Sequence, residues 1–287
     1  NIHLPTDYDC TPRPVVIGLH GYYGSGQGFE SSTARMFDHV NANGYIGVFP
    51  DGLPMSNSGW NQNVTSFNDI DSHNSDGPDG PTCTTDAYDY GVYDNCPPSE
   101  SQDACNWGTS CADDEGFLRA LVASLQTEWT VDASRIYLTG FSQGGQTTQS
   151  LSWRLSDILA ASSPHHGFAA NGYTAAPSGK MGIIQVWGRS DRTVDGNDVP
   201  SSDGMIYDAA QETIEVWAAG QGCETEPVVW PTAWDGVKGW GCEEYPNCST
   251  GSSVVNCGWD GGHVWGRDGS DHFALESMWA FFQTQQR

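Results

Sequence analysis

The sequence predicts an α/β fold: a mostly parallel sheet covered by helices on both faces, carrying one long disulfide-stapled insertion. Three observations predict it. Short apolar, β-rich runs recur at 15–19, 45–49, 135–139, 183–187 and 253–257, most of them bounded by Gly or Asp. Segments of helical period lie between them, and alternation of this kind is how parallel strands are joined. From about 50 to 111 the periodicity fades while turn residues and four cysteines take over.

Taken in order, the run at 15–19 ends in His20-Gly21, which opens a glycine-rich loop. After the insertion, Asp113 and Asp114 are good helix N-terminal residues, and Phe117, Leu118, Leu121, Val122 and Leu125 follow at helical spacing. The strand at 135–139 leads into Gly140-Phe141-Ser142-Gln143-Gly144, and a helix-compatible stretch at 146–155 follows at once. A further strand-like run lies at 158–161, just before His165 and His166. Ile206, Ala209, Ala210, Thr213, Ile214 and Trp217 predict a helix after the strand at 183–187. Phe273, Leu275, Met278, Trp279 and Phe282 predict the last one. With no internal repeat and no linker, residues 1–287 are expected to form a single domain.

Charge and cysteine set the environment. Lys and Arg number 11 against 36 Asp and Glu, a net charge of −25, which repels phosphate backbones and anionic lipid surfaces and excludes nucleic acid as a partner. The sequence has no apolar run of membrane-spanning length. A secreted monomer is expected, its leader already removed. Eight of the nine cysteines fall into two groups, Cys83, Cys96, Cys105 and Cys111, then Cys223, Cys242, Cys248 and Cys257. With no Cys-x-x-Cys pair these read as disulfides formed within each group, in an oxidising compartment, rather than as zinc ligands. Cys10 is left over.

Gly140–Gly144 is a G-x-S-x-G sequence in the strand–turn–helix context that a nucleophilic serine requires. The turn is tight, and neighbours without Cβ let strand and helix approach. Ser142 then needs a base and an acid in the chain order Ser, Asp or Glu, His. His263, in Gly261-Gly262-His263-Val264-Trp265 past a late strand, is the expected base; His272, opening the last helix, is the alternative. Asp191 is the first carboxylate beyond the strand at 183–187 and the expected acid, with Asp195 a turn further on. His165 and His166 precede both acids and read as structural. An oxyanion would need two backbone N–H groups, expected from Gln143 and from Tyr22 in the loop after the first strand. Trp187 and Trp265 adjoin the acid and the base, so they are expected to wall the substrate cleft.

Metals and cofactors are not expected. The loop after 19 is G-x-G-x-G without the dinucleotide spacing. The acidic stretch at Asp69, Asp71, Asp76 and Asp79 departs from the EF-hand pattern at His73 and Asn74, and it and the stretch at Asp191, Asp195 and Asp198 read as solvated loops. Asn63 and Asn247 head glycosylation sequons.

Together, His20-Gly21, the stretch at 113–121, the run at 131–137, Gly140–Gly145 and the segment at 261–265 resemble the polyhydroxybutyrate-depolymerase-like esterases, grouped with the feruloyl and acetyl-xylan esterases of carbohydrate esterase family 1. The likeness runs over about residues 3–283. It implies an α/β-hydrolase fold, a secreted serine esterase, and Ser142, Asp191 and His263 as nucleophile, acid and base. It also implies a longer edge strand ahead of residues 2–5. The chain departs from that pattern at Trp187, where the family often has His, at Gln143, where it often has Ala, Asn or Met, and in the Cys-rich insertion. The expected substrates are plant cell-wall esters, with polyesters as the alternative. A Trp-rich polysaccharide-binding module that has lost activity is the alternative of another class.

Overall fold

The computed structural model describes residues 1–54, 64–68, 76–91, 93, 96, 105, 107–177 and 179–287. Asn63 and the acidic residues Asp69 and Asp71, with His73 and Asn74, lie outside the described residues.

The sheet is built from β1 (Ile2–His3), β2 (Arg13–Leu19), β3 (Ile46–Val48), β4 (Val131–Phe141), β5 (Ala161–His165), β6 (Gly182–Gly188), β7 (Val228–Val229), β8 (Gly241–Tyr245) and β9 (Val254–Trp259). Their spatial order is β1-β3-β2-β4-β5-β6-β9-β8-β7. The six central strands are parallel, and β1, β8 and β7 add antiparallel edges.

Strand alternation splits the core into two layers. Val15, Ile17 and Leu19 of β2 face one side and Val16 the other; Ile183 and Ile184 of β6 divide in the same way. On the first side pack α2 (Asp114–Glu128), through Leu118, Val122 and Leu125, and α4 (Ala210–Gln221), through Ile214 and Trp217. On the other pack α1 (Met36–Asn43) and α5 (Phe273–Phe282), the latter with Phe273, Met278, Phe281 and Phe282 buried. The N-cap of α2 is Asp113, whose carboxylate accepts from Gly116 N–H at 2.8 Å. Among the described residues no helix is long and apolar enough to cross a membrane.

The strand expected at 158–161 lies further on. Leu155 and Leu159 are buried in the turn that precedes it, and β5 takes up Ser162, Ser163 and Pro164 instead. Polar residues in a buried strand defeat a hydropathy reading, and Ser163 is held there by hydrogen bonds: its Oγ donates to Ile184 O at 3.0 Å, and Thr139 Oγ1 donates to Ser163 O at 2.7 Å. The helix expected from 206 begins at Ala210, because Ile206 N–H is engaged by Thr82 O in the insertion.

Four disulfides form, all within the two groups: Cys83–Cys105 and Cys96–Cys111 in the insertion, Cys223–Cys248 and Cys242–Cys257 near the β7 edge of the sheet. Cys10 is a free, exposed thiol. The insertion carries two short ladders, Leu53–Pro54 with Thr65–Ser66 and Asp76–Gly77 with Gly80–Pro81.

Candidate active site

The site stands over the carboxyl ends of the central strands, where a parallel sheet leaves its crevice. Strand β4 runs directly into Ser142, whose backbone sits at φ 58°, ψ −124°, a sharp turn between strand and helix. Helix α3 (Gln143–Ser152) leaves at once. The elbow depends on Gly140 and Gly144. A Cβ on Gly144 would lie 2.3 Å from Leu19 O, and one on Gly140 2.1 Å from Gly144 O, so any side chain there would push β2, β4 and α3 apart.

His263 follows β9 and Asp191 follows β6. The three side chains form one hydrogen-bonded line: His263 Nε2 is 2.8 Å from Ser142 Oγ, and His263 Nδ1 is 2.7 Å from Asp191 Oδ2. Asp191 is buried, whereas His263 retains about a fifth of its side-chain surface. The other carboxylate oxygen, Oδ1, accepts backbone N–H groups of Thr193 (2.8 Å) and Val194 (3.2 Å). Burial alone would raise this carboxyl, but hydrogen bonds from His166 and His263 outweigh it and hold Asp191 well below the usual carboxylate range.

His166 is the residue that sequence reasoning missed. Its Nδ1 lies 2.7 Å from the same Asp191 Oδ2, and its ring is fully buried. A position ahead of Asp191 in the chain, one residue beyond a strand with a positive φ of 49°, gave no pattern by which to find it. His165 beside it is structural as expected, stacked on Trp265 with ring centroids 3.9 Å apart. His272 stands at the N-cap position of α5 without a side-chain capping bond, with Arg35, Arg267, Asp271 and Glu276 as its charged neighbours. Asp195 is engaged by Asn197, through N–H at 2.9 Å and Nδ2 at 2.8 Å. The loop at 191–198 is therefore not the solvated acidic loop the sequence suggested: Asp191 and Asp195 are buried and hydrogen-bonded, and Asp198 alone of the three is exposed.

The loop after β2 lies against the serine. A Cβ on Gly21 would stand 3.1 Å from Ser142 Cβ. His20 fixes the loop from below: Nδ1–H donates to Gly21 O at 2.8 Å, and Nε2 accepts from Gly52 N–H at 2.9 Å. The insertion fixes it from above, since Tyr23 N–H donates to Thr65 O at 3.0 Å and Thr65 Oγ1 to Gly24 O at 2.5 Å. Tyr22 and Gln143 both border the cavity at Ser142. The Gln143 side chain points away from the serine and into the insertion, its Nε2 donating to Ser66 Oγ (2.9 Å) and Gly108 O (3.1 Å). Two departures from the family pattern, Gln143 and the Cys-rich insertion, are thus one feature: the amide ties the insertion to the elbow.

The cavity has a volume of about 580 Å³. Tyr22, Tyr90, Trp107 and Tyr207 line it, as do Ser32 and Thr33. Trp187 and Trp265 do not line it, a correction to the expectation from sequence. Trp265 turns inward, buried between Phe29 and His165, because the loop after β9 must close the core beneath the histidine. Trp187 packs against Phe168 and faces a separate hollow with Arg189 and Gln211. The aromatic wall comes instead from the loop after β2 (Tyr22), the insertion (Tyr90 and Trp107) and the approach to α4 (Tyr207).

Among the described residues, His166, Asp191 and His263 place three possible metal-ligand atoms within 4.8 Å of one another. The 2.7 Å N···O separations are hydrogen-bond distances; two atoms bound to one tetrahedral zinc at roughly 2.0–2.2 Å would stand further apart than this, and both Nδ1 atoms are spent on the carboxylate.

The model of the dienelactone hydrolase family matches residues 3–219. The chain belongs to the dienelactone hydrolase family. Among curated relatives it is 30% identical to feruloyl esterase B of Piromyces equi over 55% of this chain and 30% of that protein. It is 24% identical to the probable feruloyl esterase C of Aspergillus niger over 61% of this chain and 60% of the relative. The chain therefore spans less than two thirds of either relative's length. Among solved structures, the acetyl xylan esterase from Aspergillus awamori superposes with a TM-score of 0.61 at 13% identity, over 98% of this chain and 92% of that one. This is the α/β-hydrolase fold of the family.

Proposed function

We propose that residues 1–287 form one catalytic domain, a secreted serine carboxylic ester hydrolase acting through an acyl-enzyme. The observation that carries this is the unbroken line Ser142–His263–Asp191, with distances of 2.8 and 2.7 Å. In this reading His263 Nε2 takes the Ser142 hydroxyl proton as Oγ attacks the ester carbonyl, and then returns it to the leaving alcohol. Water, activated by the same imidazole, hydrolyses the acyl-enzyme. Backbone N–H groups of Tyr22 and Gln143 receive the oxyanion. Gln143 stands at the first turn of α3, where the helix dipole adds to its donor strength.

Substrates of the plant cell-wall type, feruloyl or acetyl-xylan esters, are supported by the names of the relatives and by the aromatic wall of the cavity. A flat aromatic acyl group finds Tyr22, Tyr90, Trp107 and Tyr207 beside Ser142. A net charge of −25 favours neutral esters over polyanionic polymers. Four disulfides support an oxidising, extracellular setting.

The test is hydrolysis of p-nitrophenyl acetate, methyl ferulate, acetylated xylan, polyhydroxybutyrate and an aromatic polyester, each with the wild type and with Ser142→Ala. The expected result is turnover of methyl ferulate or acetylated xylan and a loss on the order of 10⁶-fold in kcat for Ser142→Ala. An active Ser142→Ala protein overturns the mechanism; turnover confined to the polyesters overturns the substrate class.

A further inference from the structure

Asp191 carries more hydrogen bonds than a triad acid requires. Oδ1 takes two backbone N–H groups and Oδ2 takes two imidazoles, His263 from the solvent side and His166 from within. A carboxylate offers about four lone-pair sites, so this one is full. The two rings stand at 89° to each other, their centroids 5.7 Å apart, each presenting Nδ1 to the same oxygen.

The seat of His166 is built from three strands. The ring hangs from the residue after β5, whose backbone takes a positive φ of 49° to turn it under the site. At the end of β6, Gly188 leaves the space it occupies, since a Cβ there would come within 2.9 Å of His166 Cε1. At the end of β9, Trp259 Nε1–H donates to His166 Nε2 at 3.4 Å. That last contact decides the tautomer. A nitrogen that accepts from indole carries no proton, so in the neutral ring the proton is on Nδ1, where it is donated to Asp191. Facing the ring are Asp191, His263 and His165, and burial lowers the basicity of His166, which keeps it neutral.

We propose that His166 is a positioning residue of the active site: as a neutral, tautomer-locked donor it fixes Asp191 and draws off part of its charge, so that His263 works as a base down to lower pH. The inference rests on the serine-esterase reading above. The physical reason is competition for one oxygen. Each N–H bound to a carboxylate weakens its pull on the others. With His166 in place, Asp191 still orients the His263 ring but stabilises its protonated form less. Without it, the carboxylate binds the imidazolium more tightly, and a proton stays on His263 to higher pH.

The experiment uses two substitutions. His166→Phe keeps a ring and removes the donor. His166→Asn keeps an N–H on the atom bonded to Cγ and tolerates the positive φ. For His166→Phe, kcat on p-nitrophenyl acetate is expected to fall about tenfold, the loss of one hydrogen bond to a charged group. The acid limb of kcat/KM should move up by about one pH unit. His166→Asn should restore most of both. A folded His166→Phe protein with the wild-type acid limb, or an Asn variant that behaves like Phe, overturns the proposal, because a merely structural residue changes the amount of active enzyme and not its pH profile. Should the Phe variant fail to fold, nitrogen-15 histidine NMR of the wild type and of His263→Ala reads the same point. One strongly downfield Nδ1–H must survive in His263→Ala, with Nε2 unprotonated, whereas an Nε2–H tautomer or a charged ring at His166 refutes it. Failure of the esterase reading shows separately, as activity retained by Ser142→Ala.

Discussion

Replacing Asp191 by Asn changes one oxygen for an NH₂ group and leaves the volume nearly untouched. The backbone N–H groups of Thr193 and Val194, at 2.8 and 3.2 Å, hold the amide oxygen on their side. The NH₂ group then faces the Nδ1 atoms of His263 and His166, donor against donor, where the wild type has two bonds of 2.7 Å. Relief requires both rings to give up their Nδ1 protons. His263 then carries its proton on Nε2, 2.8 Å from Ser142 Oγ, and cannot accept another. The same replacement in a protease triad costs about 10⁴ in kcat, equivalent to roughly 5 kcal/mol of transition-state stabilisation. Stability falls as well. With Nε2 of His166 protonated, the Trp259 Nε1–H at 3.4 Å loses its acceptor, and a buried orphan donor costs about 1–3 kcal/mol. The sign of the pH dependence follows from the depressed carboxyl of Asp191. Its contribution to stability is complete above the unfolded value near pH 4 and fades as pH falls toward the lower, folded value. Initial rates on p-nitrophenyl acetate at pH 7, with thermal unfolding of the same samples, measure both effects. Asp195→Asn, whose carboxylate oxygen Oδ1 is engaged among the described residues by Asn197 alone, is the control and should remain within about threefold of wild type. An Asp191→Asn protein that keeps a tenth of wild-type kcat refutes the assignment of the acid, and a dead Asp195→Asn protein points to the wrong carboxylate.

Gln143→Ala should uncouple the insertion from the elbow by removing the bonds to Ser66 Oγ and Gly108 O, lowering stability by about 1–2 kcal/mol. Because Trp107 and Tyr90 belong to the insertion, kcat/KM for methyl ferulate should fall more than that for p-nitrophenyl acetate; equal losses would show that the insertion does not shape the acyl site. Asp114 accepts Asn68 N–H at 2.5 Å while buried at the start of α2, and that burial raises its carboxyl to about 6. A raised folded value means stability that is present below about pH 4 and lost as pH climbs through 6. Asp114→Asn should therefore gain on the order of 2 kcal/mol over wild type at pH 8 and nothing at pH 4, read from urea unfolding at the two values. A constant difference across that range contradicts the origin assigned to the shift.

Much of this molecule was legible in the residues themselves. The five apolar runs became β2, β3, β4, β6 and β9, since a strand buried on both faces has to be written in consecutive apolar residues. The elbow at Ser142 was legible because its geometry demands glycine at fixed offsets, and the local disulfide groups because short loops bring nearby cysteines together. His263 and Asp191 could be chosen by position, as the groups that follow late strands. The tertiary structure alone decided the rest. β5 is buried yet polar, with Ser163 bonded to the strands on either side, so hydropathy misplaced it. Which Trp residues reach the cavity depends on which way a loop turns, and adjacency in sequence to Asp191 and His263 gave the wrong pair. His166 became visible only when the ends of β5, β6 and β9 met, for the hydrogen bond that defines it spans 25 residues and has no periodicity. Patterns of period and turn are local and survive in one dimension. A four-donor carboxylate is a convergence of distant strands, and it exists only once the sheet has formed.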